Sequence, residues 1–230
     1  MEDNWKGNIM FNGFVKETFI FLKMLELNNN KEWFHDHKED YKQFVEKPFY
    51  ELMDDLKQFM LKIDENFDMN PKKIISRIYR DVRFSVDKSP YRSNVWLAYK
   101  RIYPDWKVEP TYFIELTPEN FTMGMGFYKI PKSFMDIIRR KIDDKDRMFL
   151  KIHELYCKQN IFTIAGDKYK RALNNDHSEE LNQWYQRKEL YFISTKENDE
   201  TLLSRDISEY IKDSLLVLKP IYDFFISLKE

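Results

Sequence analysis

Five basic side chains crowd into one stretch of this chain, Arg77, Arg80, Arg83, Lys88 and Arg92, and the chemistry such a cluster serves best is the holding of an anion. A guanidinium is a planar fork that meets phosphate or carboxylate through two parallel hydrogen bonds, and cations packed this closely repel one another unless negative charge lies among them. Tyr79 and Tyr91 belong to the same stretch and can add hydroxyl donors. Side chains alternate between faces in an extended chain, so Arg77 and Tyr79 project together, and at least one arginine must leave the strand near a sheet end.

That negative charge need not be a ligand's. Asp81 and Asp87 interleave with the arginines, and Glu115 falls on an expected strand, so these acids can also pin a long loop to a sheet as an internal salt-bridge clamp. An anion pocket and a clamp demand the same residue types, and the sequence weighs them equally.

The charge distribution favours a local site over a global one. The 230 residues carry a net charge of −1, which attracts neither nucleic acid nor anionic membrane as a whole, yet residues 72–107 set ten bases against three acids. That segment is therefore +7 and the remainder −8. A small anionic or phosphorylated ligand is the first partner to expect. Nucleic acid is the second, through the interleaved Tyr99, Arg101, Tyr103, Trp106 and Lys107, since stacking rings beside cations suit single strands. A third reading makes the arginine segment purely structural and gives the protein a role through protein partners.

Other chemistries find little footing. His35 and His37 are two apart and cannot share a helical face, His153 and His177 have no companion at ligand spacing, and no metal or cofactor is expected. Asp81, Asp87 and Glu115 can hold Mg2+ in principle, but carboxylates set among arginines serve first as their partners. The single Cys157 sits in a helical pattern with no thiol partner, which fits a reducing compartment. The signatures Gly-x-Ser-x-Gly, His-Glu-x-x-His, Gly-Lys-Ser/Thr and Cys-x-x-Cys are missing. No apolar run exceeds five residues, far from the roughly 20 that cross a bilayer, and the first residues lack the basic start of a secretory signal, so a cytoplasmic protein is expected.

Gly124 and Gly126, two of only five glycines, stand at i and i+2 and bare one face of a strand. A bare face lets a ligand or another backbone approach closely, or it marks a bulge or a helix packed tightly over the strand, which is the commoner case. Asn28, Asn29 and Asn30 read first as helix caps, with Glu32 completing a capping box from Asn29.

Around these residues the periodicity places a helix over 14–25, a second after the asparagines with Trp33, Phe34, His37, Tyr41, Phe44 and Val45 inward, and a third from Pro48 to Ile63. Residues 66–71 read as a turn. Strands are expected at 73–79, 94–102, 111–117 and 120–128, the last two joined by a turn at 117–120. Helices follow at 132–142, 145–157 and 178–187, with strand-like pieces at 161–165 and 190–194. One long helix over 200–228 should kink at Pro220. The expected architecture is a single α+β domain over residues 1–230, a mostly antiparallel sheet of four to six strands packed by N-terminal and C-terminal helices.

The order Asn28-Asn29-Asn30-Lys-Glu-Trp33-Phe34, then Tyr41 and Pro48, then Arg77-Ile-Tyr-Arg-Asp-Val-Arg-Phe-Ser-Val-Asp-Lys-Ser-Pro-Tyr-Arg92, resembles the domain of unknown function 2461 family over nearly the whole chain. The Gly124-Met-Gly126 strand and Pro131 agree with it. The resemblance implies a single-domain α+β protein in a bacterial-style cytosol and brings no activity with it. Oligomeric state and any reaction lie beyond what these residues tell.

Overall fold

The computed structural model describes residues 10–83 and 86–229. Two expectations touch residues outside that range, the reading of the N-terminus and that part of the arginine segment formed by Phe84 and Ser85.

The N-terminal third is helical because its apolar residues recur at three- and four-residue intervals. Helix α1 (Lys16–Leu27) buries Phe21, Leu22 and Leu25. Asn30 caps α2 (Lys31–Asp36) by accepting a hydrogen bond from the Trp33 amide, 2.9 Å. The helix expected next is broken. A short α3 (Lys38–Tyr41) runs through a π turn at Lys42–Glu46 into α4 (Lys47–Ile63). In α4, Pro48 occupies the first turn, where its missing amide N–H costs nothing. Phe49, Leu52, Leu56, Met60 and Ile63 form its buried stripe. Each such side chain contributes about 1.5–3 kcal/mol of burial, so the five together stabilise the fold by roughly 10 kcal/mol.

Asn70 caps a one-turn helix α5 (Pro71–Ile74), where the sequence suggested a turn and then a strand. Proline at the first helical position and Asn before it make a helix start, and that local signal outweighs the β-branched residues that follow. The chain beyond α5 runs beside the sheet without forming a regular strand, touching it through an isolated bridge of Ile75 to Leu97, while a second bridge joins Tyr79 to Tyr91.

The sheet has five antiparallel strands, β1 (Val95–Tyr99), β2 (Pro110–Leu116), β3 (Asn120–Phe127), β4 (Thr163–Ala165) and β5 (Tyr191–Glu197), in the spatial order β1-β2-β3-β5-β4. The turn at 117–120 closes as expected through the Thr117 amide and the Asn120 carbonyl, 2.9 Å. Between the strands lie α6 (Lys132–Asp143), α7 (Arg147–Cys157) and α8 (Glu179–Tyr185). The last helix divides at Leu218 into α9 (Asp206–Val217) and α10 (Lys219–Ser227), with Pro220 in the first turn of α10 instead of kinking a continuous rod.

Alternation decides which side of the sheet is core. Val95, Leu97, Tyr99, Tyr112, Ile114, Met123, Met125 and Phe192 point to one face and are buried among α4, α9 and α10. The opposite face displays Trp96, Ala98, Thr111, Phe113, Glu115, Gly126 and Tyr191, and it is open as a cleft. This is an α+β protein with α4, α9 and α10 packed on one face of a single antiparallel sheet and α5 at the rim of the cleft over the other. No helix among the described residues is long and apolar enough to cross a membrane.

Candidate functional site

The arginine segment folds back on itself. The Arg80 amide donates to the Pro90 carbonyl at 2.9 Å and the Arg92 amide to the Ile78 carbonyl at 2.8 Å, so residues 78–80 and 90–92 pair as the two legs of a hairpin-like arm. The arm is anchored at its base by aromatic packing. Tyr91 stacks on Phe34 with ring centroids 4.1 Å apart, and the Asn29 side chain binds the Tyr91 peptide through both its amide and its carbonyl groups. Asn29 is thus a bracket between helix and arm, while Asn30 caps the start of α2 and Asn28 caps the end of α1, its Nδ2 donating to the Met24 carbonyl at 2.9 Å.

The five basic residues do not act as one pocket. Arg83 grips Asp81 with two parallel bonds of 2.9 and 2.7 Å, and this fork draws the Asp81 carboxyl down to about 2. Arg80 reaches Asp87 at 3.0 Å. Asp87 is held below the usual carboxylate range, first by the Ser89 N–H and then by the Arg80 charge. Lys88 turns its ammonium to the Val82 carbonyl, 2.8 Å, within the arm. These contacts lie within the arm, and Arg83 and Lys88 take part in them.

Arg77 and Arg92 stand apart. Among the described residues Arg77 has no hydrogen bond or ion pair from its side chain, and the Arg92 guanidinium lies over the Trp96 ring, 5.0 Å from its centroid, near enough to Asp81 for its charge to help hold that carboxyl down. Both line one cleft of about 490 Å3 together with Tyr79, Arg80, Asp81 and Trp96. Tyr79 and Arg77 share this cleft, as their spacing in an extended chain requires.

Trp96 has a second role. It also walls the cleft over the open face of the sheet, about 540 Å3, whose floor is Ala98, Phe113 and Gly126 and whose sides are Trp106, Tyr128 and Tyr191. Gly126 lines this space, but it is glycine for another reason. A Cβ there would collide with Tyr191 on β5, and one at Gly124 would meet the Phe192 carbonyl oxygen and the Phe113 ring. The pair of glycines therefore lets β5 lie tight against β3, and Phe113 fills the bareness at Gly124. No bulge and no overlying helix is involved.

Among the described residues Glu115 pairs with no arginine. It stands beside Trp96 across the β1–β2 register, and its Oε1 accepts a 2.5 Å hydrogen bond from Asn94. Cations rim the same cleft. Lys73 is salt-bridged to Asp68 at 2.8 Å, and Lys100 lies over the Trp106 ring, 3.9 Å from its centroid. Burial lowers the pKa of Lys100, the nearby Lys73 charge adds to that fall, and Asp68 opposes it.

The surface expected for nucleic acid is partly dismantled by the same alternation. Tyr99 is fully buried on the core side, and Arg101 is engaged with Asp64 at 2.6 Å. Asp64 accepts further bonds from Tyr222 and Asn66, which hold its pKa down against the opposing effect of burial. Tyr103, Trp106 and Lys107 remain accessible to solvent. Among the described residues no group of three or more His, Cys, Asp or Glu side chains is placed to hold a metal ion.

The sequence missed the sheet-face cleft. Its signal was available in the alternation Trp96, Ala98, Lys100 against Val95, Leu97, Tyr99, which separates a small, aromatic and basic face from a wholly apolar one.

No curated protein matches the chain. The family model for a conserved hypothetical protein, DUF2461, matches residues 17–224, spanning the helical region, the arginine arm, the sheet and both terminal helices described above. The chain belongs to the DUF2461 family of conserved hypothetical proteins.

Proposed function

We propose that this protein binds a small phosphorylated molecule, with its anionic group between Arg77 and Arg92 and its remaining body directed past Trp96 into the cleft on the open sheet face. The observation that carries the reading is the division of labour in the arm. Arg80 and Arg83 are paired with Asp87 and Asp81, whereas among the described residues Arg77 and Arg92, which line one cleft with Asp81, form no ion pair of their own. Two guanidinium forks of this kind supply the charge-assisted bonds that a phosphate group needs.

The sheet-face cleft falls within the size range of small-molecule sites and combines ring-lined walls with a few polar groups. Its own cations bias it towards anions. Lys100 and Lys107 already lie over Trp106 and Tyr128, so those ring faces are not offered to a cationic ligand. The lone Cys157, with no disulfide partner, suits a reducing cytoplasm as the setting.

Calorimetric titration with inorganic pyrophosphate, sugar phosphates and nucleoside monophosphates tests the reading. Arg77→Ala and Arg92→Ala should each weaken binding by about tenfold or more, the effect of losing a charge-assisted bond of ~1.5–3 kcal/mol. Arg83→Ala should leave binding unchanged. Equal losses in all three variants, or no anion bound at all, would count against the site.

A single nucleic-acid strand is the second reading, favoured by the open, aromatic and lysine-rimmed sheet face. A single-stranded oligonucleotide that binds with a steep salt dependence and outcompetes every mononucleotide would put it first.

A further inference from the structure

The cleft over the sheet contains one carboxylate, and its position says more about the ligand than the arginines do. Glu115 lies on β2 directly opposite Trp96 on β1, and both project from the open face. Its Oε1 is taken by Asn94 at 2.5 Å, and among the described residues no hydrogen bond or ion pair reaches Oε2. A carboxylate can only accept hydrogen bonds when ionised, and an acceptor oxygen in a ring-lined cleft offers a ligand N–H a partner. The cleft is otherwise cationic, through Lys73 and Lys100, so the donor should belong to a neutral ring and not to an ammonium group.

We infer that Glu115 is a specificity-determining residue that selects a planar heteroaromatic ring presenting N–H donors along one edge, of which the guanine ring of a nucleotide is the matching nucleobase. The inference rests on the phosphate site at Arg77 and Arg92 and names the ring that accompanies that phosphate. Trp96 is the structural link, since it walls both clefts. A ring against its face places one end of the ligand towards Arg92 and the other towards Glu115. Guanine offers N1–H and the 2-amino group to a carboxylate, whereas adenine turns the unprotonated N1 to the same oxygen and leaves Glu115 facing an acceptor. Discrimination between a satisfied and an unsatisfied polar contact of this kind is large, because the losing ligand strands a desolvated group.

The experiment is calorimetric titration of the full chain with guanosine, inosine and adenosine 5′-monophosphates, and with inorganic pyrophosphate. The guanine nucleotide should bind at least tenfold more tightly than the adenine nucleotide, with inosine, which keeps N1–H and lacks the 2-amino group, in between. Glu115→Gln should bring the guanine and adenine affinities within about threefold of each other, and Arg77→Ala should weaken all three nucleotides alike while keeping their order. Equal binding of the three nucleotides by the wild-type chain, still dependent on Arg77, would overturn the role of Glu115 and leave the phosphate site standing. Binding of pyrophosphate without any nucleotide would do the same. Failure of every anion, pyrophosphate included, would remove both. The wild-type comparison is decisive even where Glu115→Gln does not fold.

Discussion

The Asn29 side chain holds both polar groups of the Tyr91 peptide, its Oδ1 accepting from the amide at 3.0 Å and its Nδ2 donating to the carbonyl at 3.1 Å, across 62 residues of chain. Tyr91 is buried against Phe34, and the bracket fixes the returning leg of the arm just before Arg92. Asn29→Ala leaves the Tyr91 N–H without its partner and the Tyr91 carbonyl with only the long Arg80 Nε bond of 3.4 Å, in a place where water enters poorly. The expected cost is ~2 kcal/mol, two neutral hydrogen bonds at about 1 kcal/mol each, measured by urea unfolding. Because Arg92 rides on this leg, pyrophosphate affinity should fall in the same variant even though Asn29 touches no cleft. A stable variant with full affinity would show that the bracket does not position Arg92.

Arg80 offers the converse test. It lines the cleft with Arg77 and Arg92 but is paired with Asp87. Asp87→Asn frees the guanidinium while retaining an oxygen for the Ser89 amide. Anion affinity should rise by about two- to fivefold, the modest scale of an exposed ion pair. A titration showing no gain would mean that Arg80 does not reach the bound anion.

Asp64 predicts a pH dependence of stability. Its folded pKa lies below the unfolded value because Tyr222, Asn66 and Arg101 all donate to it. A depressed carboxylate stabilises the fold above the unfolded pKa, near 3.8, and that stabilisation disappears as the pH falls through the folded value. Asp64→Asn should cost ~3 kcal/mol at neutral pH, the scale of removing one partner from a buried pair. The gap between variant and wild type should then narrow as the pH drops below about 4. Denaturant titrations at pH 7, 4 and 2.5 measure it, and a gap constant with pH would refute the assignment.

Gly126→Ala separates packing from binding. The added methyl collides with Tyr191, so strand β5 must shift, at an expected cost of ~1–3 kcal/mol. Thermal unfolding reads the cost. Because Gly126 also floors the cleft, nucleotide affinity should fall more than pyrophosphate affinity, whose site lies at the arm.

Helices α4 and α6, the strands from β1 to β3 and the turn at 117–120 were legible in the sequence because period and turn chemistry are local properties that neighbouring residues enforce on one another. The arginine segment was legible too, as was its double character, since Asp81 and Asp87 lie within it. Where local signals compete the sequence was a poor guide. Asn70-Pro71 starts a helix ahead of residues that read as strand, and Leu218 divides what looked like one rod.

Only the tertiary structure decided which arginines are spent and which are available. That choice depends on which side chains the arm turns towards Asp81, Asp87 or Trp96, and such directions follow from how the arm folds back and where it docks. The same holds for Glu115, whose neighbours Trp96 and Asn94 are distant in sequence and adjacent through the β1–β2 register. Residue types and their spacing determined that this protein would gather cations in one stretch. Pairing of strands, a long-range property that no local pattern encodes, determined where those cations meet an open cleft and a carboxylate.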